Sequence, residues 1–170
     1  MENVSSISLL NLILEADVVV YSSSVDPGMA QLELARQNGK EVYSEFALGN
    51  KLCRKPIIAV CGSYGRSTVA HMIGFSLRQD GKNVFVGGTN ESPFIEYAMQ
   101  PNQEAIDYVI VEVSAVQMRR LTDFHPKMVV FTNISETYPQ GQFSSMGEFM
   151  ETKLSIVKTL SPDDTLICNF

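Results

Sequence analysis

The sequence is short of almost everything that marks a secreted, membrane-spanning or nucleic-acid-binding chain. It has three cysteines in 170 residues, Cys53, Cys61 and Cys168. They are odd in number, scattered, and without the spacing of a metal site. They read as small apolar filler in a reducing compartment. The apolar stretch near the start is cut by Glu15 and Asp17, and no basic leader precedes it. The sequence therefore predicts neither a signal peptide nor a membrane span, and a cytoplasmic location. Basic charge is scarce too, with 13 Lys and Arg against 19 Asp and Glu and a net charge of −6. With no Lys/Arg cluster to offset it, that balance excludes broad electrostatic binding of nucleic acid. A nucleotide is not excluded, because it needs local dipoles and one or two cations. The two histidines, His71 and His125, have no partners at catalytic spacing. No internal repeat and no low-complexity tract interrupts the chain.

What is present is an ordered alternation of short apolar runs and helix-period segments. Ile7, Leu10, Ile13 and Leu14 are spaced as one face of a short helix. Asp17-Val-Val-Val-Tyr21 reads as a buried strand and Ser22–Val25 as a polar loop. Asp26-Pro27 forms a helix start and Gly39 a helix stop. With a strand at Glu41-Val-Tyr43, the opening is a β-α-β unit. Leu48 to Pro56 reads as a linker and marks a domain boundary. Beyond it, strands are predicted at 57–61, 83–86, 107–113, 127–132 and 165–168. Helices follow the loop at 62–68, start at Ser92-Pro93, and run behind Ser145-x-x-Glu148, a reciprocal capping-box pattern. Continuously apolar strands alternating with helices indicate an α/β fold, a parallel sheet covered on both faces.

The stretch Ile57-Ile-Ala-Val-Cys-Gly-Ser-Tyr-Gly-Arg-Ser-Thr68 organises the rest. A strand feeds a helix through a two-glycine turn, and the N–H groups and dipole of the first helical turn favour an anion. Arg66 adds a cation and Ser67 or Thr68 a hydroxyl suited to Mg²⁺. The pattern departs from the general phosphate loop, which has four residues between its glycines and a lysine after the second. Ligands in such sheets sit beyond the C-terminal strand ends. That edge collects 62–68, 87–90, 112–117 and 133–138.

These residues resemble the Mur ligases, ATP-dependent enzymes that add amino acids to peptidoglycan precursors. Residues 61–68 are similar to the family's Thr-Gly-(Thr/Ser)-Asn-Gly-Lys-(Ser/Thr) loop. Residues 107–117 resemble the Leu-Glu-Leu-Ser-Ser-Phe-Gln segment of the D-glutamate-adding members, and Thr132-Asn-Ile-Ser135 their Thr-Asn turn. Met146–Lys153 resembles the helix carrying a carbamylated lysine, and Ala16 to Glu45 part of a UDP-binding domain. The resemblance implies a phosphate-loop-like central domain over 55–170, preceded by a partial Rossmann-like UDP-substrate unit over 1–50. It implies ATP and Mg²⁺ as cofactors and a UDP-sugar precursor as a partner. Gly62, Ser63, Gly65, Arg66, Ser67, Thr68 and Asn133 would surround the nucleotide. Ser67, Glu112 and carbamylated Lys153 would hold metal, with Arg66 and Lys153 in the catalytic positions. Ser114 and Gln117 would face the substrate. As bare residues, Lys153 reads equally as an amphipathic-helix lysine, and Ser114 and Gln117 as satisfied polar groups at a strand end.

The departures weigh on activity. Arg66 stands for the loop lysine, Tyr64 for its asparagine, and Thr137-Tyr138 for an Asp-His whose histidine binds metal. Parts of the family's domains have no counterpart in these 170 residues. The expectation is a catalytically impaired nucleotide-binding relative. Two alternatives stand beside it: a ligase completed by another chain, and an interaction module that pairs with a protein partner or a second copy.

Overall fold

The computed structural model describes residues 6–119, 121, 123–135, 138–139 and 141–169. Thr137 lies outside them. Helix α1 (Ser6–Glu15) leads into strand β1 (Val18–Tyr21), helix α2 (Ala30–Gln37) and strand β2 (Glu41–Ser44). β1 and β2 pair in parallel, so the opening is the expected β-α-β unit. Its helix begins later than Asp26-Pro27 suggests. Asp26 instead closes a turn, its Oδ1 accepting the Gly28 N–H at 2.9 Å.

The stretch read as a linker is largely helix. α3 spans Glu45–Leu52, and its first turn is capped by Ser44, whose Oγ accepts the Ala47 N–H at 3.1 Å. Gly49 misleads because its role is close packing rather than a turn. A Cβ there would lie 2.9 Å from the backbone of Phe94 and Ile95. The helix thereby seats Phe46 edge-on against Phe94 and Phe124, with ring centroids 5.1 and 5.6 Å away.

The larger sheet is built from β3 (Ile57–Cys61), β4 (Val84–Gly87), β5 (Tyr108–Glu112), β6 (Met128–Phe131) and β7 (Thr165–Cys168). Its order is β4-β5-β3-β6-β7, and every pairing is parallel. Parallel strands need covered faces, and both faces are covered except at the edge strand β7, which is exposed. Ile58, Val60 and Ile110 pack under α4 (Arg66–Gln79), through Ala70, Val69, Ile73 and Leu77. Ile57, Ala59, Cys61, Val109 and Val111 point the other way, onto Phe46, Phe94, Tyr97, Phe124 and Ile156. α5 (Ala115–Met118) and α6 (Met146–Leu154) stand at the C-terminal edge, where Ala115, Phe143 and Phe149 form a small separate cluster. Among the described residues, no helix is long and apolar enough to cross a membrane.

Candidate functional site

β3 delivers the loop to the C-terminal edge of the sheet, and a close approach fixes how it leaves. Gly62 has φ 141°, and a Cβ on it would fall 2.0 Å from Thr132 Oγ1. Only glycine fits a positive-φ position so tightly enclosed. The loop is then tied down by the segment after β6. Asn133 accepts the Ser63 N–H with its carbonyl (3.1 Å) and the Tyr64 N–H with Oδ1 (3.1 Å). Its Nδ2 donates to the Tyr64 carbonyl at 3.0 Å, so the side-chain amide clasps that residue's backbone from both ends. Thr132 Oγ1 donates to the same carbonyl at 2.7 Å. Ser135 N–H reaches Ser63 Oγ at 3.0 Å. Asn133, expected beside a nucleotide, is thus a strut of the loop.

Arg66 opens α4, yet part of its guanidinium turns back on the chain that precedes it. Nη1 donates to the carbonyls of Gly62 and, at 3.1 Å, of Ser63. One residue on, Ser67 Oγ donates to Glu112 Oε2 at 2.8 Å. Glu112 ends β5 opposite Val60 of β3, on the face that α4 covers. It is 6% exposed, and its Oε1 is buried with no hydrogen-bond partner. A buried carboxylate oxygen without a donor is costly unless a cation meets it. With the Ser67 hydroxyl beside it, the pair is the oxygen-donor chemistry that a hard divalent ion takes. Among the described residues, no cluster of three or more His, Cys, Asp or Glu offers an all-protein metal cage. A metal here would complete its shell from phosphate oxygens and water.

Lys153 comes from α6. It is 5% exposed, with Nζ donating to Ser63 Oγ at 2.8 Å and lying 4.5 Å from the centre of the Phe149 ring. Burial, and next the Arg66 charge, push its pKa down to about 8. It is not a solvated surface lysine. Cys61, at the root of the loop, is buried enough that its thiol pKa rises to about 12, so it stays an inert filler.

Ser114 and Gln117 serve each other. Ser114 Oγ accepts the Gln117 N–H at 3.2 Å, and Gln117 Oε1 accepts the Ser114 N–H at 2.8 Å, a complete capping box on α5. Gln117 Nε2 also donates to the Gly88 carbonyl at 3.3 Å. At the predicted box on α6 only half forms. Ser145 accepts the Glu148 N–H, while the Glu148 carboxylate bonds Ser144 instead.

Two cavities adjoin here. One of about 400 Å³ holds Ser67, Glu112, Gly88 and Gln117, together with Ser23 and Ser24 from the loop after β1. The other, about 360 Å³, holds Ser63, Tyr64, Tyr138 and Lys153. Arg66 and Ser114 line both. In sequence, Ser23 and Ser24 are legible only as a polar loop. Their signal is position, at the C-terminal end of a parallel strand. Thr68, by contrast, lines a different hollow, with His71 and Met72.

Residues 60–170 match the model of the Mur ligase middle domain. The chain belongs to the Mur ligase family. It is 33% identical over 153 residues to the UDP-N-acetylmuramoylalanine–D-glutamate ligase of Symbiobacterium thermophilum, covering 90% of this chain and 33% of that one. To the ligase of the same name from Citrifermentans bemidjiense it is 32% identical over 156 residues, 92% of this chain and 34% of the relative. The chain thus spans about a third of the length of the curated relatives it matches. Among solved structures, a UDP-N-acetylmuramoyl-L-alanyl-D-glutamate–2,6-diaminopimelate ligase superposes with a TM-score of 0.54 at 14% identity, over 89% of this chain and 45% of that one. MurF from Acinetobacter baumannii gives 0.52 at 14% identity, over 91% and 42%. At that identity the likeness is one of fold. Against the Mur ligase pattern, Tyr138 stands where a metal-binding histidine is expected. Its ring packs 6.1 Å from that of Phe149, an apolar role.

Proposed function

We propose that this chain is the nucleotide-binding part of a Mur-type ligase, related to ATP-dependent amino-acid addition in peptidoglycan precursor synthesis. By itself it turns over poorly or not at all. Residues 55–170 form the ATP-binding unit and 1–50 part of the UDP-substrate unit, in a cytoplasmic protein. The observation that carries this reading is the Ser67–Glu112 pair with its unpartnered carboxylate oxygen, set at the head of α4. Ser67 and Glu112 would hold Mg²⁺, which when bound neutralises phosphate charge and orients the chain of phosphates. The first-turn N–H groups of α4 lack helical partners and favour the phosphates themselves. Ser23, Ser24 and Gln117 face the same cavity and suit the polar parts of a UDP-sugar.

Impairment is supported by two side chains. The Arg66 guanidinium bonds loop carbonyls where the family's lysine is a free point charge. Tyr138 offers no imidazole to a metal. Phosphoryl transfer depends on concentrated positive charge around the transferred group, and both changes reduce it. Completion by another chain is the second reading, and the intact Ser67–Glu112 pair favours it.

Calorimetry with ADP and ATP, with and without Mg²⁺, tests the binding. Wild-type chain should bind the Mg²⁺-loaded nucleotides, and Glu112→Gln should weaken that binding about tenfold or more without weakening metal-free binding. Absence of binding, or equal binding by the variant, would overturn the assignment. Phosphate release on adding UDP-N-acetylmuramoylalanine and D-glutamate is expected to be absent. Its presence would show an active ligase.

A further inference from the structure

The two adjoining cavities have opposite hydrogen-bonding polarity. In one, the Ser67 hydroxyl gives its proton to Glu112, whose other oxygen is buried without a donor. That side presents acceptors and negative charge. In the other, a serine is set the opposite way. Ser63 Oγ accepts from Lys153 Nζ at 2.8 Å and from the Ser135 N–H at 3.0 Å. A hydroxyl has two acceptor positions and one proton, so with both positions filled Ser63 is left to donate. Among the described residues no acceptor meets that proton. Lys153 and Arg66 hold uncommitted donors as well. The Lys153 ammonium carries three N–H bonds and gives one to Ser63. Only Nη1 of Arg66 is engaged, at the Gly62 and Ser63 carbonyls, which leaves the edge formed by Nε and Nη2.

Ser63, Arg66 and Lys153 line the cavity of about 360 Å³, and no Asp or Glu lines it with them. Neither cation forms an ion pair among the described residues. A buried ammonium and a half-buried guanidinium without a counter-charge are costly, and an anion between them offsets that cost. The Lys153 Nζ lies 4.5 Å from the centre of the Phe149 ring, a position that favours the ammonium over a negative carbamate. We propose that this cavity is a metal-independent site for a tetrahedral dianion, a phosphoryl group, held by Lys153, Arg66 and the Ser63 hydroxyl. Two positive charges match a dianion better than a carboxylate, and the free Nε–Nη2 edge suits two phosphate oxygens at once. Groups that favour a metal and groups that favour an anion are thus sorted into separate cavities, with Arg66 lining both. The site needs neither a nucleoside nor Mg²⁺, so it does not depend on the nucleotide reading.

Inorganic sulfate in EDTA is the probe, added to the whole chain at constant ionic strength and followed by amide NMR shifts. The amides of Ser63, Ser135 and Lys153 should move together and saturate. Acetate should bind about tenfold more weakly than sulfate. Lys153→Met should weaken sulfate about tenfold, the effect of losing one charge-assisted hydrogen bond, while Glu112→Gln should not weaken it. The spectrum of each unliganded variant shows whether it folds, and if K153M does not, the wild-type titration decides by which amides move. No saturable shift in wild type, shifts confined to the first turn of α4 and Glu112, acetate as tight as sulfate, unchanged affinity in K153M, or weaker sulfate binding in E112Q would each overturn the proposal. If sulfate behaves as expected and nucleotides do not bind, the nucleotide reading fails and this one stands. If Mg²⁺-nucleotides bind and sulfate does not, this one fails alone.

Discussion

Lys153 shows how far a single side chain can move once it is placed. In sequence it is one lysine on an amphipathic helix. In the fold it is buried, feels the Arg66 charge, and touches a hydroxyl rather than a carboxylate. Its pKa of about 8 lies below the usual lysine value, so between about pH 8 and pH 10.5 the unfolded chain binds a proton that the folded chain has released. Stability should therefore rise with pH across that window, and the penalty of charging the group is fully present below it. Cys61 acts in the opposite direction above about pH 9, because its folded thiol, with a pKa of about 12, keeps a proton that the unfolded thiol loses. The comparison must then be differential. Urea unfolding at pH 7.5 and pH 9.5 should show a less positive pH slope in Lys153→Met than in wild type. Equal slopes would mean that Lys153 is not held in its buried position. Arg66 and Asn133 teach the same lesson about polar residues in loops. Sequence identifies them as belonging to the site, but whether each faces a ligand or the loop's own backbone is decided by the folded arrangement, for Asn133 by partners 69 residues away.

At the scale of elements, the strands are the readable part. Ile57–Cys61, Tyr108–Glu112 and Met128–Phe131 are apolar runs whose burial on both faces needs no long-range information to anticipate. Helix ends and short helices are less readable. Gly49 resembles a loop signal because the sequence does not reveal that Phe94 presses against it. Ser155–Thr159 tightens into a 3₁₀ turn, so Val157 falls past the end of α6 although its spacing continues the helical face. The family pattern would make Ser114 and Gln117 substrate-facing; in the fold their mutual bonds make them the frame of α5. A four-residue helix is marginal without such a frame. Ser114→Ala should cost about 1 kcal/mol, as for other N-caps, measurable as a shift of the urea midpoint at constant slope. A change within error would mean that α5 is held by Ala115 and Met118 alone.

At the scale of the molecule, the two sheets share an anchor. Phe46 leaves the β-α-β unit on α3 and is fully buried among Ile57, Phe94, Phe124 and Ile156 of the larger core. The chain should accordingly unfold in one transition, and protease should not cut first within 48–56. Phe46→Ala should lower stability by about 3–5 kcal/mol, read by chemical denaturation followed with circular dichroism. A separate low-temperature transition of the first 50 residues in wild type would contradict the shared anchor.

The pairing of Val60 with Glu112 has one further outcome. Side chains on a strand alternate between faces, so sliding β5 past β3 by a single step would turn the carboxylate away from Ser67 and expose a row of valines to the wrong layer. The greasy neighbours of the acid thus act as its spirit level. An error in alignment that would silence the chemistry would also tear the core, and the chain cannot make one mistake without the other.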